Sequence, residues 1–207
     1  MNNKTSSGHA AAIHDIFTYL CDCALNRPPR PWRWQVRDHH RLHFLRRLAH
    51  DAGLIDPATA KPGPLAADWL RQPPAGQLAI LAEAWINQSD TASRQECFDR
   101  LNSLPPDATI TPANLTHRSS LARQRNLWLP LYWLGYLTAS SASPASPLLK
   151  RAAIPDKPEV AAPWQIQGTT IIAPLPYHWP DLWELERLAT LVDIGPPRCY
   201  TVNPLTI

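Results

Sequence analysis

The sequence has little glycine, seven in 207 residues, against 23 prolines. Loops that cradle phosphate are built from clustered glycines, and neither Gly-x-x-x-x-Gly-Lys-[Ser/Thr] nor Gly-x-Gly-x-x-Gly occurs. Gly-x-Ser-x-Gly and His-Glu-x-x-His are missing too, so neither a nucleophile elbow nor a helix-borne zinc hydrolase site is encoded. No apolar run approaches the roughly 18 residues of a membrane helix. Met1–Ala12 has one lysine and no apolar stretch, unlike a secretory leader. A cytoplasmic protein without membrane contact is expected. Cys21, Cys23, Cys97 and Cys199 are scattered, with no spacing that suggests a disulfide framework.

What is present in excess is proline and tryptophan, the latter numbering nine. One proline in nine residues excludes long unbroken helices and wide sheets, and with them a coiled coil, a TIM barrel or a large doubly wound sheet. Hydrophobic residues make up 44% of the chain, enough for a packed core. The net charge of +3 is unevenly spread. Between Arg27 and Arg47 stand seven arginines against one acid, Asp38, so this stretch carries +6 and the rest of the chain −3.

Apolar spacing of three and four predicts a helix over Ala10–Asn26, with Ile13, Phe17, Leu20 and Ala24 on one stripe. A second helix follows over Asp38–Ala52, with Asp38 as N-cap and Gly53 at the left-handed C-terminal position. Further helices are expected at Leu65–Arg71, Ala75–Gln88 and Ser93–Leu104, the last opened by a Ser93/Glu96 capping box. From Thr111-Pro112 to Tyr136 one or two helical pieces are expected, broken or kinked at Pro130, with Leu127–Leu137 central to the core. Thr138–Pro147 is low in complexity and reads as a linker or the tip of a wing. Beyond it a hairpin around Gly168, a helix over Pro180–Asp193 and a strand over Arg198–Val202 form a small β-α-β module.

His39 and His43 stand at i, i+4, a spacing that suits a metal on one helix face, but no local Glu or Cys completes a set and no metal site is expected. The sharpest chemical feature is the run Arg27-Pro-Pro-Arg-Pro-Trp-Arg-Trp-Gln-Val36 with the helix after it. Arginines neutralise phosphates, and tryptophan faces stack on bases or guanidinium groups. Arg30, Trp32, Arg33, Trp34, Arg37, Arg41 and Arg47 are the candidate nucleic-acid contacts. The alternatives are a protein interface, with the tryptophans packed under the first two helices, and a merely solvated face. A smaller cluster, His117, Arg118, Arg123 and Arg125, fits the basic face of a winged-helix unit. Asp181, Glu184 and Glu186 lie on one C-terminal helix, but two carboxylates in one turn make no acid–base pair without a cleft. A docking module is expected there.

Arg41-Leu-His-Phe-Leu-Arg-Arg-Leu-Ala-His-Asp-Ala-Gly-Leu-Ile55, Ala67-Asp-Trp-Leu70 and Gln77-Leu-Ala-Ile-Leu-Ala-Glu-Ala-Trp85 resemble, in this order, bacterial helicase-associated proteins that carry the N-terminal domain of XPB-type helicases. Trp164-Gln-Ile-Gln-Gly-Thr-Thr-Ile-Ile-Ala-Pro174, Leu185-Glu-Arg-Leu-Ala189 and Cys199-Tyr-Thr-Val-Asn-Pro-Leu205 are similar to that domain's closing strand, helix and tyrosine strand. The resemblance implies an accessory domain that engages DNA and docks other subunits in repair, transcription, mobile-element or phage-defence systems. It brings no catalytic residues, and with no ATPase motor it implies a stand-alone or truncated member.

The expectation is therefore a mainly α protein with a small α/β module. A helical, winged-helix-like region spans 1–150, with a linker at about 138–163, and the β-α-β module spans 164–207. The function expected is a non-catalytic, DNA-associated accessory subunit without cofactor or metal. DNA is favoured over RNA as ligand, and a protein partner in a larger complex is expected. The alternative is a scaffold or adaptor that docks a helicase or other partner without touching nucleic acid.

Overall fold

The computed structural model describes residues 8–27, 39–116, 120–140, 148–157, 160–193 and 197–202. The stripe of Ile13, Phe17 and Leu20 is buried on α1 (Gly8–Ala24), but so are His9, His14, Asp15, Thr18 and Asp22 around it. A helix buried on nearly every side is a central one. Around it lie α2 (His39–Asp51) and α4 (Pro74–Ile86), with α7 (Leu121–Leu134) and α8 (Trp179–Leu188) completing the shell. α2 stops where Gly53 turns left-handed at φ 68°, as its position after the last apolar residue predicts. Asp38, its expected N-cap, lies outside the described residues.

α3 (Leu65–Arg71) ends before Pro73, and Pro74 opens α4 at a position where its missing N–H costs nothing. The two helices are clasped by a reciprocal pair of buried bonds. Trp69 Nε1 donates to the Gln77 carbonyl at 3.0 Å, and Gln77 Nε2 donates to the Trp69 carbonyl at 3.1 Å.

The middle of the chain has the order helix, strand, helix, helix, hairpin: α5 (Thr91–Ser103), β1 (Thr109–Ile110), α6 (Pro112–Leu115), α7, β2 (Leu137–Ala139) and β3 (Leu149–Arg151). The three strands form an antiparallel sheet in the order β1-β3-β2. The order is winged-helix-like, with α7 as its third helix and β2–β3 as the hairpin that follows it. The unit begins only at α5, and α1–α4, which precede it in the chain, pack against it through α1 and α4. Two local expectations fail here. α5 begins at Thr91 after Asp90, which sits left-handed at φ 66°. The Ser93 hydroxyl accepts from Arg123 Nη2 at 2.9 Å and caps nothing, while Glu96 turns to Arg100. α7 also runs through Pro130; the break falls earlier, between Leu115 and Leu121. Pro130 is buried, and Asn126, whose carbonyl it leaves without a helical donor, is exposed.

α7 ends at Gly135, left-handed at φ 83°, where the backbone of Gly8 and His9 passes so close that a Cβ would collide with it. The first turn of α1 is thereby seated on the last turn of α7.

The C-terminal module is β-β-α-β-β. β4 (Gln165–Gln167) and β5 (Thr170–Ala173) form the expected hairpin with Gly168 at φ 59°. α8 stops at Leu188, and Thr190–Asp193, expected to be helical, is strand β6. The β-branched Thr190 and Val192 favour the pleat, and β7 (Arg198–Thr201) pairs with this segment on one side and with β5 on the other. The sheet order is β4-β5-β7-β6, antiparallel throughout. Phe17, Trp69, Leu131, Leu149, Leu182 and Tyr200 belong to one continuous core, so the module shares its interior with the helices.

Candidate nucleic-acid interface

The described arginines of the basic run, Arg27, Arg41, Arg46 and Arg47, do not form one surface. Arg27 Nη1 donates to Glu186 Oε2 at 3.1 Å, taking the end of α1 to α8. Arg41 is a correction to the sequence reading. Its side chain is 10% exposed and donates from Nη1 to Asp15 Oδ2 between α2 and α1. A guanidinium so placed holds the two helices together and is not presented to a phosphate. Arg46 lies over the Tyr19 ring, 5.4 Å from its centroid. Arg47 is exposed and faces Asp51 at 3.6 Å one turn on. Arg30, Trp32, Arg33, Trp34 and Arg37 lie outside the described residues, as does Arg118.

Electrostatics explain the fate of Arg41. Burial pushes the Asp15 carboxyl up to about 6, and the Arg41 and Arg198 cations only partly offset this. A carboxylate enclosed on α1 needs a cation, and residue 41 on the inner face of α2 supplies it.

Arg123 and Arg125 stand on the N-terminal half of α7, together with Leu121, Ala122 and Asn126 as exposed neighbours. Ser120 caps this end, its hydroxyl accepting from the Arg123 N–H at 3.4 Å. No acidic residue stands in the first turn of the helix, so the partial positive charge of the helix end adds to the two arginines. Arg123 Nη2 reaches Asp90 at 3.0 Å and Ser93, a contact between exposed groups. Such surface pairs contribute roughly 0–1 kcal/mol and yield readily to a phosphate. Arg125 has no hydrogen-bond or ion-pair partner among the described residues. On the sheet, Lys150 stands exposed between Thr109 and Thr138.

Sequence reasoning passed over Asn126 and Lys150, whose exposure depends on helix phase and on strand register. It also passed over Arg198, whose side chain is fully enclosed. Arg198 Nε donates to His14 Nε2 at 3.0 Å, Nη1 to Glu186 Oε1 at 2.6 Å, and Nη2 to the Thr18 hydroxyl. The Tyr200 hydroxyl donates to the same Glu186 oxygen at 3.0 Å. This network joins the C-terminal module to α1.

Among the described residues, His39 and His43 are exposed on α2, and no three His, Cys, Asp or Glu side chains gather as metal ligands. All four cysteines are free. No helix among the described residues is long and apolar enough to cross a membrane. No protein-family model, curated protein or solved structure matches the chain.

Proposed function

We propose that the chain is a non-catalytic accessory subunit that binds DNA in the cytoplasm as part of a larger nucleoprotein complex. Repair, transcription, mobile-element or phage-defence machinery is the setting that the resemblance to the N-terminal domain of XPB-type helicases would imply for such a subunit. The observation that carries this reading is the α5-β1-α6-α7-β2-β3 order with α7 exposed at its N-terminal turns, where Arg123 and Arg125 project. An exposed helix fits the wide major groove of B-form DNA and not the deep, narrow groove of A-form RNA. Arg33 and Arg37 would add sequence-independent phosphate contacts, with Trp32 or Trp34 stacking beside them.

The test is a salt titration of duplex binding by the full chain and by two double variants, Arg123→Ala/Arg125→Ala and Arg33→Ala/Arg37→Ala. Each lost phosphate contact reduces the slope of log K against log salt by about one. A shallower slope and weaker binding, uniform across sequences, are expected. Unchanged affinity and slope in both variants would overturn the reading.

A second reading, an adaptor that docks a partner without touching nucleic acid, draws on the exposed Ile166, Leu188 and Val192 of the C-terminal module. It predicts no binding of the isolated chain to labelled duplex or single strand at low salt, together with co-purification of a partner.

A further inference from the structure

The DNA-binding reading makes no use of a groove on the C-terminal module. It opens between the extended segment Ala161–Trp164 and one face of α8, with a volume of about 650 Å³. That is within the roughly 300–1,000 Å³ typical of ligand clefts. Positions 181, 184, 185 and 188 follow helical spacing, so a single face of α8 lines it while Leu182 and Glu186 turn to the core. Leu188 is 73% exposed, and Trp164, opposite, is 38% exposed.

The charge of the groove narrows what it accepts. Its lining holds two carboxylates, Asp181 and Glu184, and no Lys or Arg. Asp181 meets His178 Nδ1 at 2.9 Å, and Glu184 meets Arg187, one turn further along α8, at 3.1 Å. Both pairs join exposed groups three residues apart, so an incoming cation displaces them at little cost. Phosphates are repelled. A two-fold contact between copies of the chain would set the same carboxylates against each other.

The chain runs from the groove residue Trp164 directly into β4 at the edge of the sheet. β4 pairs only with β5, so the outer N–H and C=O groups of Gln165–Gln167 have no strand partner among the described residues, and Ile166 is exposed. An unpaired edge next to an apolar groove is the arrangement that accepts an added strand.

We propose that the groove and the β4 edge dock an extended segment of a partner protein in which an aliphatic side chain is flanked by lysine or arginine. The aliphatic side chain enters between Trp164 and Leu188, the basic side chains reach Asp181 and Glu184, and the backbone pairs with β4. The proposal stands independently of DNA binding by α7.

The probe is a short fluorescein-labelled peptide of alternating lysine and isoleucine, with a glutamate-for-lysine and a serine-for-isoleucine version, titrated into the full chain and followed by anisotropy. Saturable binding of the first peptide is expected, with each control about tenfold weaker or worse. Leu188→Ser and Asp181→Asn/Glu184→Gln should each weaken it about tenfold, with unfolding midpoints unchanged because these side chains are exposed, and Arg125→Ala should leave it unaltered. Absence of saturable binding, equal binding of the glutamate peptide, or indifference to both groove variants would overturn the proposal. So would a dimer of the chain that Leu188→Ser dissolves, since the groove would then be covered by a second copy.

Discussion

Arg198 on β7 and Glu186 on α8 form an ion pair of 2.6 Å that is closed to water on all sides. It lies where the last strand meets α1, and its guanidinium stands 5.0 Å over the centre of the Phe17 ring. Two charges in the interior are tolerated when further hydrogen bonds share the load, and His14, Thr18, Tyr200 and Arg27 supply them here.

Removing one charge should therefore cost more than removing both. Arg198→Leu is expected to lower the unfolding free energy by about 3–5 kcal/mol, because Glu186 is left buried without its cation. Arg198→Leu/Glu186→Leu should recover part of that loss. Urea unfolding of the full chain measures both, and additive losses would show that the two residues do not act as a pair.

Asp15 predicts a pH dependence. Its folded pKa, about 6, is above the ordinary value of 3.8, so the folded state holds this proton more tightly than the unfolded chain. The resulting stabilisation is fully present below about pH 4 and is lost as pH rises through 6. It amounts to roughly 2–3 kcal/mol. The stability difference between the wild type and Asp15→Asn should shift in favour of the wild type on going from pH 7 to pH 4. A difference that stays constant over this range would contradict the assignment.

Gly135→Ala should be among the most damaging small substitutions. The position combines a left-handed φ of 83° with the backbone of Gly8 and His9 at the place a methyl would occupy. A loss of roughly 2 kcal/mol or more is expected, against about 1 for a glycine whose only constraint is its φ. Gly168→Ala supplies that comparison, since its φ is 59° and nothing lies within 4 Å of a Cβ there. Thermal melts of the two variants give the ranking.

Gln77→Leu should cost about 1 kcal/mol or less, since it keeps the volume and removes one of two donors to the buried Trp69 carbonyl, which the Gln72 N–H still satisfies at 3.1 Å. A thermal melt measures it, and a loss above about 2 kcal/mol would show that the Gln77 amide, and not the Trp69 indole bond to the backbone, holds the clasp between α3 and α4.

Much of the architecture is legible in the residue pattern. α3 falls on Leu65–Arg71 as predicted, and α1, α2, α4 and α5 lie within two residues of expectation at each end. Proline and glycine mark these boundaries by their own covalent geometry, which no tertiary context alters. The pattern fails where a distant partner decides. Thr190–Asp193 continues the apolar period of α8, yet β7 offers an unpaired edge and the segment becomes a strand. Pro130, expected to break or kink the helix, does not end it: α7 runs on through this position, where the proline is buried in the core.

The candidate site was less legible, because a cluster of arginines in sequence says nothing of where each side chain ends. Arg41 is buried on Asp15, and the half-buried Arg27 and Arg46 serve Glu186 and Tyr19, while Arg123 and Arg125 are left on the outside of α7. The sequence by itself determined the local events: where helices stop, which stripes are apolar, and that +6 is gathered between residues 27 and 47. The tertiary structure decided which charges are spent inside. A buried carboxylate such as Asp15 or Glu186 draws in a cation from far along the chain, and that choice depends on distances that exist only after the helices have met.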